Sequence, residues 1–217
     1  MADRYRVNEV FWSPQGEGIR CGEMSAFVRF QGCNLRCTQE AGPKSPGGFD
    51  CDTEFESGRA YSIAELVDAV DAYSDGAPAK AKRDGDGYRP WVVFTGGEPG
   101  LQVDAPLVEA FHEAGWRLAI ETNGSVDLSG LDLDWITVSP KVAEHAIRQT
   151  VADEVKYVRG HGQALPKPRC KARHRLISPA FNGLTVDAKA FDWCLGLIRE
   201  NPSWRLSVQM HKPWSVR

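Results

Sequence analysis

Three cysteines stand close together in this sequence: Cys33 and Cys37 with three residues between them, then Cys51 after thirteen more. They are half of the six cysteines in the chain, and Cys21, Cys170 and Cys194 stand apart from them. Such clustering asks for a metal. Three thiolates could hold zinc, but a closed structural zinc site takes four ligands, usually as two close pairs, and no fourth Cys or His lies in this stretch. A four-iron cluster suits three thiolates better and leaves one iron with an open position. Zinc, or no metal, stays open on the residues alone. Cysteines also serve as small buried hydrophobes, and Pro43-Lys44-Ser45-Pro46-Gly47-Gly48 between Cys37 and Cys51 is flexible-loop composition.

Other residues could do chemistry with such a centre. Gln15-Gly16-Glu17-Gly18 after Pro14 is a loop whose glycines let a backbone approach a ligand closely, or an ordinary Gly-rich turn. Arg29 alternates against Val28 and Phe30 just before the cysteines; it could clamp a carboxylate bidentately or face water on a strand edge. Thr95-Gly96-Gly97-Glu98-Pro99 follows the apolar run Trp91 to Phe94, and Glu121-Thr122-Asn123-Gly124 follows Arg117 to Ile120. In a parallel α/β architecture ligands bind at the carboxyl ends of strands, which is where both motifs fall. Ser139-Pro140-Lys141 and Ser178-Pro179-Ala180-Phe181 take the same position after later strands. Thr53, taken alone, is a turn residue.

The elements that must position these residues are legible from periodicity. Strands are expected to start near residues 5, 24, 91, 117, 135, 153, 175 and 204, the first ending where Ser13-Pro14 breaks pairing. Ser62-Ile63-Ala64-Glu65 is a capping box opening a helix with Ile63, Leu66, Val67 and Val70 on its apolar stripe. A second helix is expected over Asp104 to Ala114 and a third striped by Phe191, Cys194, Leu195 and Ile198, which makes Cys194 core. Residues 75 to 90 mix Gly, Pro and both charge signs and read as a mobile surface excursion. Too few helices separate the strands for a full (β/α)8 barrel, which leaves a partial, open α/β barrel in a single domain over 1–217, with an insertion at about 38–50.

Net charge of −3 gives no broad basic footprint for nucleic acid, so the expected partner is a small molecule. No apolar run approaches the ~18 residues of a membrane span, and Met1-Ala2-Asp3-Arg4 does not open a signal sequence. Clustered cysteines without a disulfide framework suggest a reducing cytoplasm.

Cys-x3-Cys followed by Cys51-Asp52-Thr53 resembles the cluster loop of the radical S-adenosylmethionine (SAM) enzymes, whose last spacer is usually two residues; here it is thirteen. Expanded loops of this kind occur in one branch, the 7-carboxy-7-deazaguanine synthases of queuosine biosynthesis. Gln15 to Gly18, Arg29-Phe30-Gln31-Gly32-Cys33, Thr95 to Pro99, Glu121 to Gly124, Ser139 to Lys141 and His211-Lys212 resemble that branch in order along nearly the whole chain. The resemblance implies a [4Fe-4S] cluster on Cys33, Cys37 and Cys51, with Cys37 preferred over Cys21 because Cys33-x3-Cys37 is the usual spacing. It implies SAM held by Gly97, Glu98, Ser139, Pro140, Lys141 and the 178–181 segment, where the family carries Gln-Pro and this chain has Ser178. It implies Mg2+ at Thr53 and a pterin contacted by Pro14, Gln15, Gly16, Glu17, Arg29, Thr95, Glu121, His211 and the Arg217 carboxylate. A flavodoxin or ferredoxin as electron donor and a homodimer follow by the same analogy. Other readings are a different radical SAM enzyme, such as a glycyl-radical activase, or a non-catalytic zinc- or cluster-stabilised binding protein.

Overall fold

Short apolar runs punctuated by glycine and proline become strands, and the few amphipathic segments become helices laid over them. A computed structural model describes residues 4–35, 37, 54, 56–85 and 87–217. In chain order the elements are β1 (Tyr5–Pro14), β2 (Met24–Phe30), β3 (Arg59–Tyr61), α1 (Ile63–Tyr73), α2 (Ala77–Asp84), β4 (Trp91–Gly96), α3 (Ala105–Glu113), β5 (Arg117–Thr122), β6 (Trp135–Val138), β7 (Val151–Arg159), β8 (Lys171–Pro179), β9 (Phe181–Asn182), β10 (Thr185–Val186), α4 (Ala188–Glu200) and β11 (Trp204–Leu206). Nine strands form one sheet in the order β11-β8-β7-β6-β5-β4-β2-β1-β3. Every pairing from β11 to β2 is parallel, and β1 joins antiparallel between β2 and β3. The fold is therefore α/β with a mostly parallel sheet.

Alternation along the strands separates two faces. One carries Ala26, Val28, Phe30, Val92, Phe94, Leu118 and Ile120, and is covered by Leu66 and Val70 of α1 and Leu107, Val108 and Phe111 of α3. Phe30, Phe94 and Phe111 meet edge to face at 5.6 and 5.4 Å. Each such buried side chain contributes about 1.5–3 kcal/mol, so this layer is the main source of stability. The same face continues through Val138, Val155, Tyr157 and Ile177 to Cys194 of α4, so Cys194 is core as expected. Ser62 closes both halves of its capping box with Glu65.

Several expectations need correction. β1 runs through Ser13 and Pro14, with Pro14 opposite Met24; β3 pairs only Tyr5 to Val7, so the missing proline N–H faces no partner strand. Residues 77–84 form a helix rather than an excursion: Pro78 sits in its first turn, where no N–H is needed, and Ala, Lys and Arg favour the rest. β3 was not foreseen; a three-residue strand carries too little periodicity. β7 and β8 begin earlier than the apolar pattern suggests, at Val151 and Lys171, because their polar first halves still pair. β11 stops at Leu206; Met210 instead donates its N–H to Gly16 O at 2.8 Å. No helix among the described residues is long and apolar enough to cross a membrane.

Candidate active site on the uncovered sheet face

Period-2 alternation places a different set of side chains on the face away from α1, α3 and α4. Phe11, Phe27, Val93, Ala119 and Trp135 stand opposite one another across five strands and form an apolar floor. Phe11 and Phe27 stack at 4.9 Å. The adjoining register line is polar: Glu9 faces Arg29, Arg29 faces Thr95, Glu121 faces Thr137 and Thr137 faces Glu154. Thr95 joins this row by donating its hydroxyl to Glu121 Oε2 at 3.3 Å. A flat floor below a row of charges suits a planar, polar-edged ligand.

Gln15 and Glu121 come together: the Gln15 amide donates to Glu121 Oε1 at 3.0 Å, and Gln15 Oε1 accepts from the Glu17 N–H at 3.1 Å. Arg29 lies 3.3 Å from Glu9 and over the Phe11 ring. Arg217 also pairs with Glu9, and its carbonyl accepts from Ser13 Oγ at 2.7 Å. The last residues thus reach the same corner as Arg29. His211 lies so near Gly16 that a Cβ there would run into its ring and backbone, and a Cβ on Gly18, at φ 74°, would strike the Glu154 carboxylate. The glycines of this loop therefore allow close approach to these protein groups.

Glu17 likewise spends both carboxylate oxygens inside the protein, one on Lys156 Nζ and the other on Gln209 Nε2 at 2.9 Å. Burial works against its charge, but Lys156, Gln209 and His211 outweigh burial and hold its pKa down to about 2. Burial also opposes the Lys156 ammonium, yet Glu17, Glu121 and Glu154 together raise its pKa. Glu154 accepts from Thr137 Oγ1 at 2.9 Å and from the Ile19 N–H at 3.0 Å. Arg20 is buried over Trp91, its guanidinium carbon 4.3 Å from the ring; burial lowers its pKa against the pull of Glu121, Glu23 and Glu154. Sequence reasoning missed Glu9, Arg20, Glu154, Lys156 and Gln209. The signal for two of them was present, since Glu154 and Lys156 alternate with Val155 and Tyr157 inside a strand flanked on both sides.

Cys33 and Cys37 are half-buried in the segment leaving β2. Gly97 meets this segment directly: a Cβ would overlap the Gly32 carbonyl, and Glu98 N–H donates to that carbonyl at 2.9 Å. Asn34 donates to Ser125 at 2.8 Å and accepts from Asn123 at 3.1 Å, tying the segment to the loop after β5. Glu98 is fully buried; it accepts from Thr122 Oγ1 at 2.7 Å, Gly100 N at 3.0 Å and Asn123 N at 2.7 Å. Cys21 lies before β2 and Cys33 after it, on either side of a strand of seven residues. Cys51, Thr53 and the 38–50 spacer lie outside the described residues. Among those described, no group of three or more His, Cys, Asp or Glu is arranged to hold a metal ion.

Ser139, Pro140 and Lys141 follow β6, with Lys141 Nζ donating to Ser139 Oγ at 3.3 Å. Ser178 is buried, and its hydroxyl has no hydrogen-bond partner among the described residues. Pro179 ends β8, Ala180 N–H donates to Arg159 O at 3.0 Å, and Lys212 Nζ lies 4.6 Å over the Phe181 ring. Pro14 ends β1 at the start of the Gln15 loop. A surface hollow lined by Val67, Pro78, Tyr88 and Trp116 lies beside α1 and α2 and shares none of these residues.

No protein-family model matches the chain. Curated relatives do. The 7-carboxy-7-deazaguanine synthase of Nitratidesulfovibrio vulgaris is 38% identical over 216 residues, covering 96% of this chain and 97% of that protein. The synthase of Bradyrhizobium diazoefficiens is 38% identical over 98% of this chain and 99% of its own, and that of Bacteroides thetaiotaomicron 34% identical over 98% of each. Among solved structures, the crystal structure of QueE from Escherichia coli superposes with a TM-score of 0.61 at 25% identity, covering 96% of this chain and 95% of that one. With this identity over nearly its full length, the chain belongs to the 7-carboxy-7-deazaguanine synthase family.

Proposed function

We propose that the chain is a radical SAM lyase that converts 6-carboxy-5,6,7,8-tetrahydropterin to 7-carboxy-7-deazaguanine with loss of ammonia, in queuosine biosynthesis. The observation that carries this reading is the joining of Gln15, Thr95 and Glu121 above the Phe11–Phe27 floor, with Arg29 in the same row. A carboxylate and an amide offer acceptors and a donor to the edge of a pterin ring, aromatic rings support its face, and an arginine suits its carboxylate.

The donor set fits an iron–sulfur cluster: two half-buried cysteines share the segment that leaves β2, and Cys51 supplies the third thiolate. When bound, the cluster would pass one electron from an external donor to SAM and so supply the radical chemistry that starts at C6 of the substrate. The protein supplies placement. Gly97 and Glu98 present main chain to SAM, Ser139, Pro140 and Lys141 take its ribose or carboxylate, and Ser178, Pro179, Ala180 and Phe181 cover its adenosine. The orphan Ser178 hydroxyl supports that last role, because a buried hydroxyl without a partner is costly. Pro14, Gln15, Gly16 and Glu17 line the ring with Thr95 and Glu121, while His211 and the Arg217 carboxylate close over it. Mg2+ on Thr53 would anchor the substrate carboxylate, keeping waters for its other positions.

In this reading residues 1–217 form one open barrel of the radical SAM type, with 38–50 as an insertion in the cluster loop. Support comes from the hydrogen bonds that carry the 15–19 loop to β7 and to the residues after β11. The enzyme works in the cytoplasm, draws electrons from a flavodoxin or ferredoxin, and pairs with a second copy. The test is an anaerobic reaction of reconstituted protein with SAM, a reductant, Mg2+ and 6-carboxytetrahydropterin, followed by mass spectrometry. Appearance of 7-carboxy-7-deazaguanine with 5′-deoxyadenosine is expected. 5′-Deoxyadenosine alone would overturn the substrate, and neither product from cluster-loaded protein would overturn the whole reading.

A further inference from the structure

The geometry points to Lys156 as a positioning residue that, through a buried ion pair with Glu17, docks the 15–19 loop on β7 and so sets where Gln15 meets the substrate. The inference rests on the substrate reading of this face. It departs from that reading on Glu17, whose carboxylate it assigns to the protein side.

Lys156 and Glu17 stand 139 positions apart in sequence. Lys156 is 7% exposed and Glu154, two residues before it on the same face of β7, is 5% exposed. Charges this deep persist only when paired and hydrogen-bonded. The pairing here is complete and converges on one loop. Glu17 takes Lys156 on one oxygen and Gln209 on the other. Glu154 holds the Ile19 N–H, and Ser207 Oγ holds the Gly18 N–H at 2.9 Å. Met210 N–H holds Gly16 O at 2.8 Å. Four successive residues, Gly16 to Ile19, are thus fixed from β7 and the chain after β11, and the Glu17 N–H in turn holds Gln15 Oε1. That last bond orients the Gln15 amide so that its NH2 faces Glu121. Lys156 forms the ion pair with Glu17, with His211 adding a weaker attraction, and removing Lys156 leaves Glu17, Glu154 and Glu121 without the ammonium that all three attract. The loop can relieve that only by moving, which carries Gln15 with it.

The test uses reconstituted, cluster-loaded protein as wild type, Glu17→Gln, Lys156→Met, Lys156→Arg and the Glu17→Gln/Lys156→Met double variant. Two readouts are taken: amide hydrogen exchange at Gly18 and Ile19 without substrate, and affinity for 6-carboxypterin, an oxidised, non-reacting analogue, beside affinity for SAM. Glu17→Gln and Lys156→Met are expected to speed exchange at both amides and weaken 6-carboxypterin by about tenfold to hundredfold, the scale of a misplaced binding group, with SAM affinity unchanged. Lys156→Arg should recover most of both, and the double variant should be no weaker than Lys156→Met. Additive losses in the double variant would overturn the inference by making Glu17 a direct ligand, as would unchanged exchange in the isosteric Glu17→Gln. Wild-type protein that fails to bind 6-carboxypterin would overturn the substrate reading instead, and the exchange data would still decide whether the pair docks the loop.

Discussion

Glu98 illustrates how a buried charge is kept by its hydrogen bonds. Burial raises its pKa, while donors from Asn123, Thr122 and Gly100 pull it back. Glu98→Gln puts an amide NH2 where an oxygen now faces a donor, so at least one buried donor is left unsatisfied. A loss of about 1–3 kcal/mol is expected, measured by denaturant unfolding, with iron loading impaired because the same residue anchors Gly32 through its N–H. Glu17 gives a prediction with a sign. Its folded pKa is depressed from 4.5 to about 2, so its ion pair stabilises fully above pH 4.5 and is lost as pH falls toward about 2. The stability gap between wild type and Glu17→Gln should therefore close over that window; a gap unchanged across it would remove the pair as its source.

At the scale of elements, the cysteine segment and the loop after β4 act as one unit. Gly97→Ala would force the new Cβ against the Gly32 carbonyl, and the backbones of two parallel neighbours cannot yield as a flexible side chain would. Iron content per chain is expected to fall sharply while far-UV circular dichroism stays as in wild type, since the helices pack on the opposite face. Ser62→Ala provides the contrast: loss of its capping box should cost about 1 kcal/mol of stability and leave iron and ligand affinities untouched. Strands β2, β4 and β5 were legible because their alternation is strong and each ends in a glycine-bearing motif. Residues 77–84 were not, because Gly and Pro at their start suggest a loop in sequence but sit at tolerated helix-end positions in the fold. Lys156 and Glu154 were hidden for a different reason. Local pattern shows that a charge is inward but not which distant residue neutralises it, and the partner of Lys156 lies on the loop after β1.

Across the whole molecule, one face of a single sheet holds the stability and the other holds the site. The sheet face under α1, α3 and α4 carries the apolar core, while the opposite face arranges Arg29, Thr95, Glu121, Glu154 and Lys156 over aromatic rings. The residues from Ser207 to Arg217 bind the two distant ends together, touching the loop after β1 through Gln209 and Met210 and β1 itself through Arg217. The sequence order of its motifs was enough to suggest the chemistry; how the terminal segment meets Glu9 and Gly16 required the folded chain. The most direct test of the central claim is an anaerobic turnover with 6-carboxytetrahydropterin carrying deuterium at C6, with both products analysed by mass spectrometry. The account predicts deuterium in 5′-deoxyadenosine formed alongside 7-carboxy-7-deazaguanine. Unlabelled 5′-deoxyadenosine, or no deazaguanine from protein with a full complement of iron, would contradict it.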